Sequence, residues 1–267
     1  MKYVQINNDN NILQISDNYQ NMVLKKVLRF NTTQHLKVSS DPGSYDLIPE
    51  GAYWLEYPNG ASSGRWQTYI PITADITKEA LVFAVEVTAP VKHIDVDEIA
   101  QGQYLLNKIQ HRLEVSIRFE DDNRQYDGHK YVTIYVFSTK IEHLGNNGLE
   151  IKDDKGKILF NSNYKYLRVV DVISTHYQAG DKNYTIPSRT YNNINNMAVV
   201  VLSTATSYGN YGHTQLIHIN NKSIFADYQV QGRGASNEFI PEQTTLILVA
   251  DVSTCKDFPI SYDNIIN

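Results

Sequence analysis

The chain has 267 residues, 42% of them hydrophobic, with a net charge of −5 and a pI near 5.9. That length suits one large or two ordinary domains. The acidic balance gives no electrostatic argument for nucleic acid, and no apolar run approaches the roughly 18 residues that span a bilayer, so no membrane insertion is expected.

The opening MKYVQINND has no signal-peptide apolar region, so synthesis in a cytoplasm without export by that route is expected. Strands are predicted first at Lys2–Ile6, Ile12–Ile15 and Met22–Phe30. They continue at Gln67–Ile72, Leu81–Val87, Arg112–Phe119 and Tyr131–Ser138. Past the middle come Leu149–Ile151, Ile158–Phe160, Leu167–Ile173, Met197–Leu202, Gln215–Ile219 and Thr245–Val252. Leu113 to Phe119 alternates apolar and polar residues, the pattern of a strand with one wet face. Leu81–Val85 and Ala198–Leu202 lack a polar alternate and read as central strands covered on both sides. One helix is predicted over Asp97–Arg112, from the spacing of Ile99, Leu105, Leu106 and Ile109, although Gly102 interrupts it. Long loops are expected at Thr32–Trp66 and Asp181–Asn196. The 19 Tyr and 25 Asn fit many short strands joined by polar turns.

The chain has an internal repeat. VQINNDNNILQISDNYQNMVLKKVL, from Val4, has the layout of GLEIKDDKGKILFNSNYKYLRVVDV, from Gly148. Aligning them pairs Ile6 with Ile151, Asp9 with Asp154, Asn18-Tyr19 with Asn163-Tyr164, Met22 with Leu167 and Val27 with Val172. Three further landmarks recur in order: Leu81–Ala89 with Met197–Ala205, the strand beginning Leu113 with that beginning Leu216, and Tyr131–Thr139 with Thr244–Val252. The expected fold is all-β, with two tandem β-sandwich-like domains of similar design over 1–143 and 148–267, joined near His143 to Gly148. A barrel is the second architecture.

Chemical motifs are sparse. The single cysteine, Cys255, excludes an intrachain disulfide framework and reads as a small core residue. Gly60 to Gly64 (GASSG) matches a nucleophile elbow around Ser62, but a loop precedes it and a strand follows, where the elbow needs a strand and then a helix. Gln231 to Asn237 is glycine-rich without the strand-to-helix frame of a phosphate cradle. The eight histidines lack metal-ligand spacing, and Glu120 to Gly128 departs from a calcium loop. No catalytic residue, metal or cofactor is expected. Three glycosylation sequons begin at Asn31, Asn183 and Asn221 and read as chance in an Asn-rich chain. Binding chemistry is richer: Tyr53, Trp54, Tyr57, Trp66, Tyr184, Tyr191, Tyr208 and Tyr211 lie among Asn and Ser in loop-like segments. Such residues combine rigid contact area with adaptable hydrogen bonds; they either recognise a surface ligand such as a glycan or cap the sheets.

Gly148, Leu149, Ile151, Gly156, Ile158, Phe160, Ser162, Leu167, Arg168 and Val169 form a Gly-apolar-x-apolar, turn, apolar-x-Phe-x-Ser, Leu-Arg-Val pattern. It resembles a pattern of small tail-associated structural proteins of tailed bacteriophages. The copy from Val4 departs from it, with Ile15 for the Phe and Met22-Val23-Leu24 for Leu-Arg-Val. The resemblance covers about a tenth of the chain. It implies a virion structural protein at the tail tip, baseplate periphery or a fibre attachment, with no activity attached. A carbohydrate- or receptor-binding module is the second reading, and a glycan hydrolase or esterase the third. The expected partners are other tail proteins, further copies of the chain and a host surface glycan. Association is expected because a sandwich covers one face of Leu81–Val85 and Ala198–Leu202, and Asn-rich loops make poor lids for the other.

Overall fold

Branched and aromatic residues pack well on a pleated surface, and Gly, Asn and Asp tolerate the turns between strands. A computed structural model follows that rule. It describes residues 5–7, 13–16, 21–31, 52–54, 65–72, 80–103, 108–119, 131–143, 148–178, 185–205, 212–231 and 242–261. A hairpin of β1 (Gln5–Asn7) and β2 (Leu13–Ser16) leads to β3 (Val23–Asn31). Then come β4 (Ala52–Trp54), β5 (Arg65–Ile72), β6 (Leu81–Val87), β7 (Val91–Gln103), β8 (Lys108–Phe119) and β9 (Tyr131–Ser138). The second half opens likewise, with a hairpin of β10 (Glu150–Lys152) and β11 (Ile158–Asn161) before β12 (Val169–Tyr177). It continues with β13 (Ile186–Thr190), β14 (Met197–Ser203), β15 (Gly212–Asn220), β16 (Ser223–Gln231) and β17 (Gln243–Asp251). A 3-10 turn, Ser253–Cys255, and β18 (Ile260–Ser261) follow.

Every strand expected from the sequence has a counterpart among the described residues, that over Lys2–Ile6 from Gln5 onward. The helix has none: the described parts of its span, up to Gln103 and from Lys108, lie in β7 and β8, which pair from Val91 opposite Phe119 to Gln103 opposite Lys108. Ile94, Leu113, Val115 and Ile117 alternate into the core, and burying them in a sheet outweighs a weak helical spacing. Both expected loops contain strands, β4 in the first and β13 in the second. Asn221 turns the β15–β16 hairpin with φ 52°, a conformation asparagine tolerates. No helix among the described residues is long and apolar enough to cross a membrane.

The strands form two seven-stranded sheets, β12-β17-β14-β6-β9-β3-β18 and β13-β16-β15-β7-β8-β5-β4. Each takes strands from both halves of the chain. They meet where Val199 of β14 lies opposite Val85 of β6, and Ile219 of β15 opposite Val91 of β7. Outward from this seam, β6-β9-β3 is matched by β14-β17-β12, and β7-β8-β5 by β15-β16-β13. One landmark pairing changes. The strand beginning Leu113 corresponds to β16, because β15 takes the seam place of β7. Alternation cannot tell one arm of a hairpin from the other, since both carry the same period.

The sheets face each other across one core. Phe83, Val85, Ile134, Val199 and Ile247 of the first sheet meet Ile94, Leu113, Val115, Ile217 and Ile219 of the second, all buried. A second cluster lies on the outer face of the first sheet and joins Leu24, Val27, Ala84, Tyr135, Phe137, Ala198 and Val200 to Cys255, with Phe258 and Ile260 packed against it. Ala84 of β6 and Ala198 and Val200 of β14 are thus buried on the outer face in a cluster that includes the segment after β17. Cys255 is a buried free thiol, which burial pushes above its ordinary pKa.

The β10–β11 hairpin carries two predictions. In its turn the Asp153 carboxylate accepts from the amides of Lys155 and Lys157 at 2.9 and 2.8 Å, and Gly156 has φ +82° with open space where a Cβ would stand. Gly156→Val therefore meets backbone strain and no clash, and should cost about 1–2 kcal/mol. An unchanged melting temperature would contradict that turn. At the base, Glu150 binds Lys152 Nζ at 2.8 Å and His143 Nδ1 and Asn161 Nδ2 at 3.0 and 3.1 Å. The hydrogen bonds from Lys152 and then His143 lower its carboxyl to about 2. Its contribution to the hairpin is therefore full above the ordinary glutamate pKa and is lost as pH falls towards 2. A carboxyl resonance of Glu150 titrating near 4.5 would refute the arrangement.

Candidate functional site: an uncovered apolar face beside an edge strand

β12 is an edge strand whose side chains alternate. Ile173 and Tyr177 point to the core, while Val170, Val172, Ser174 and His176 are exposed on the outer face. Val170 is 38% exposed and Val172 50%; Leu202 of β14, on the same face, is also 50% exposed. Between them Leu246 and Leu248 of β17 are half-buried. Exposed valines on β12 and an exposed leucine on β14, with half-buried leucines of β17 between them, form an apolar surface in contact with water.

The matching face of the first half is different. Val172 lies opposite Leu248 as Val27 lies opposite Tyr135, and Val200 lies opposite Leu248 as Ala84 lies opposite Tyr135. Yet Val27 is 3% exposed, because Ile260 of β18 pairs with it in parallel and the segment before β18 lies over its neighbours. A polar clamp holds that cover. Lys256 Nζ reaches both Glu86 carboxylate oxygens at 2.7 and 2.6 Å, the Tyr135 hydroxyl donates to Glu86 at 2.7 Å, and Asn196 Nδ2 donates at 3.2 Å. Burial, then the Glu86 charge, pushes the Tyr135 hydroxyl far above its ordinary pKa, so it stays a donor. Aligning LVFAVEV with MAVVVLS puts Leu202 where the first half has Glu86.

The edge strand is held firmly. Asp171 accepts from Arg189 at 2.9 Å and from the Tyr191 hydroxyl at 2.6 Å, tying β12 to β13 in the other sheet. Burial alone would raise the Asp171 carboxyl, but the bonds from Tyr191, Arg189 and the Val172 amide outweigh it and hold it below the ordinary value. At the far end of β12 the Tyr177 hydroxyl accepts from buried Gln215 Nε2 at 2.9 Å, and Gln215 Oε1 accepts from Thr245 at 2.5 Å. These groups are spent on holding the sheets together.

Among the described residues, the aromatic residues singled out in the sequence fall in two places. Trp54 lies directly opposite Trp66 in the β4–β5 pair, with Tyr53 opposite Gln67, at the far edge of the second sheet. Tyr191 packs against the core with its hydroxyl on Asp171. Tyr57, Tyr184, Tyr208 and Tyr211 lie outside the described residues, as do Ser62 and the Glu120 to Gly128 stretch. His218 stacks on Phe225 at 4.3 Å and contacts Asp227 at 3.0 Å. No group of three metal-ligating side chains occurs among the described residues. Sequence reasoning missed the β12 face; the signal was Val170 and Val172 beside Leu202, visible only once strand order is known. No protein-family model matches the chain, and no curated protein or solved structure matches it significantly.

Proposed function

We propose that the protein is a structural component of a phage particle, associated with the tail, and that it works by docking onto other tail proteins. The observation carrying this reading is the exposure of Val172 on β12 and Leu202 at the end of β14, whose counterparts in the first half, Val27 and Glu86, are covered. The described titratable groups noted above support it, since they serve as clamps between strands. The Gly148 to Val169 resemblance supplies the particle. We assign the protein no reaction and no cofactor. Immunogold labelling of purified virions tests the reading: label on tails is expected, and particles lacking the chain by mass spectrometry would overturn it.

A second reading, recognition of a host surface glycan, has the cross-strand pair Trp54 and Trp66 behind it. Paired aromatic residues on an edge hairpin suit stacking against sugar rings. A glycan array with the wild type and Trp54→Ala tests it; signal unchanged by the substitution, or no signal, would exclude that pair as the site.

A further inference from the structure

We infer that the patch of exposed Val170 and Val172 on β12 and Leu202 at the end of β14 docks an extended apolar segment of a different protein. The segment would lie across Val172, Leu248 and Leu202 as the chain's own Lys256–Phe258 stretch lies over the first half, without the edge pairing that Ile260 makes with Val27. This rests on reading the face as a docking surface, and it names the occupant.

The size of the face argues for a segment. Its three exposed side chains offer on the order of 200 Å² of apolar area, against the roughly 800 Å² per partner of a stable protein–protein interface. A globular face of a second copy would therefore gain little there, whereas one strand with one or two apolar anchors matches it. Charge argues against the terminal segment of a second copy. That segment carries Lys256, which in its own site meets the Glu86 carboxylate at 2.6 Å. In the second half the equivalent place is Leu202, so the lysine would be set against an apolar side chain with no counter-charge. The occupant thus has an apolar residue where the terminal segment has Lys256. The edge defines its position. The Val172 amide already donates to its neighbour Asp171 at 2.8 Å, and a bulge lies between Val169 and Asp171. Both features blunt pairing along this edge, so the segment lies on the face instead of lengthening the sheet.

The test uses the whole protein and a fluorescent synthetic peptide spanning 252–261 that carries Lys256→Leu and Cys255→Ser. Anisotropy should show saturable binding, at least tenfold weaker for the same peptide with the lysine retained. It should also be at least tenfold weaker for the protein variant Val172→Glu, which alters an exposed side chain and leaves the fold intact by circular dichroism. No binding up to millimolar peptide, equal binding of the two peptides, or binding indifferent to Val172→Glu would overturn the inference. So would concentration-dependent dimerisation abolished by Val172→Glu, because the face would then belong to a second copy. Selective peptide binding by a chain absent from virions would sink the tail assignment and leave this inference standing. The opposite result would do the reverse.

Discussion

Val199→Asp unfolds both halves of the protein together. Val199 is fully buried, belongs to the core between the sheets and lies opposite Val85 at the seam. Its neighbours in that core are aliphatic and aromatic, so a carboxylate there finds no partner and must be desolvated or protonated. The cost should exceed about 4 kcal/mol, a large part of the 5–15 kcal/mol by which ordinary domains are stable. Because strands of both halves share each sheet, amide protection in β9 should be lost in the same transition as that in β17. Hydrogen exchange resolves the two strands. Protection that persists in β9 while β17 opens would show that the seam does not couple them.

Truncation after Val252 should be nearly as damaging. It removes Cys255, Phe258 and Ile260 from the outer cluster and uncovers Val27, Tyr135 and Phe137, which are at most 3% exposed in the intact chain. At about 25 cal/mol per Å², losing two large apolar side chains and the surface beneath them corresponds to about 3–5 kcal/mol, an upper figure because the unfolded chain is not fully extended. Glu86→Gln is the milder companion. It keeps an acceptor for Tyr135 but loses the charge opposite Lys256, whose side chain is 40% exposed, so solvent screening limits the effect to about 1 kcal/mol. A lowered urea midpoint and new binding of a hydrophobic dye are expected for the truncation. An unchanged midpoint would mean that the segment only rests on the sheet.

Much of the fold was legible because period-two alternation and β-branched runs are strong local signals. Leu113 to Phe119 reads as a strand without any partner, and its buried Leu113, Val115 and Ile117 are its odd positions. The unbroken apolar runs at Leu81 and Met197 announced central strands, and they are the two that meet at the seam. What local pattern could not supply was partnership. Ile99, Leu105, Leu106 and Ile109 fit a helix loosely until Ile99 is seen paired in β7 and Ile109 in β8. β13, with only Ile186 buried among its five residues, has almost no apolar signal to read. The candidate face was hidden for a related reason. Val170 and Val172 look like any valines in a strand, and their exposure follows from β12 being an edge whose equivalent in the first half has a cover.

The terminal segment also sets a valence. Two halves with matching strand order present two matching outer faces, and such a chain would be bivalent, able to join neighbours at both ends of its first sheet. One segment following β17 covers the edge of the first face, at Val27, and leaves the edge of the second, at Val172 and Leu202, exposed. On the docking proposed above, the chain would be monovalent through this surface. Each copy would accept a single segment, and among the described residues the matching face of the first half is already occupied. Addition at this face would end after one step, with one chain per docking segment.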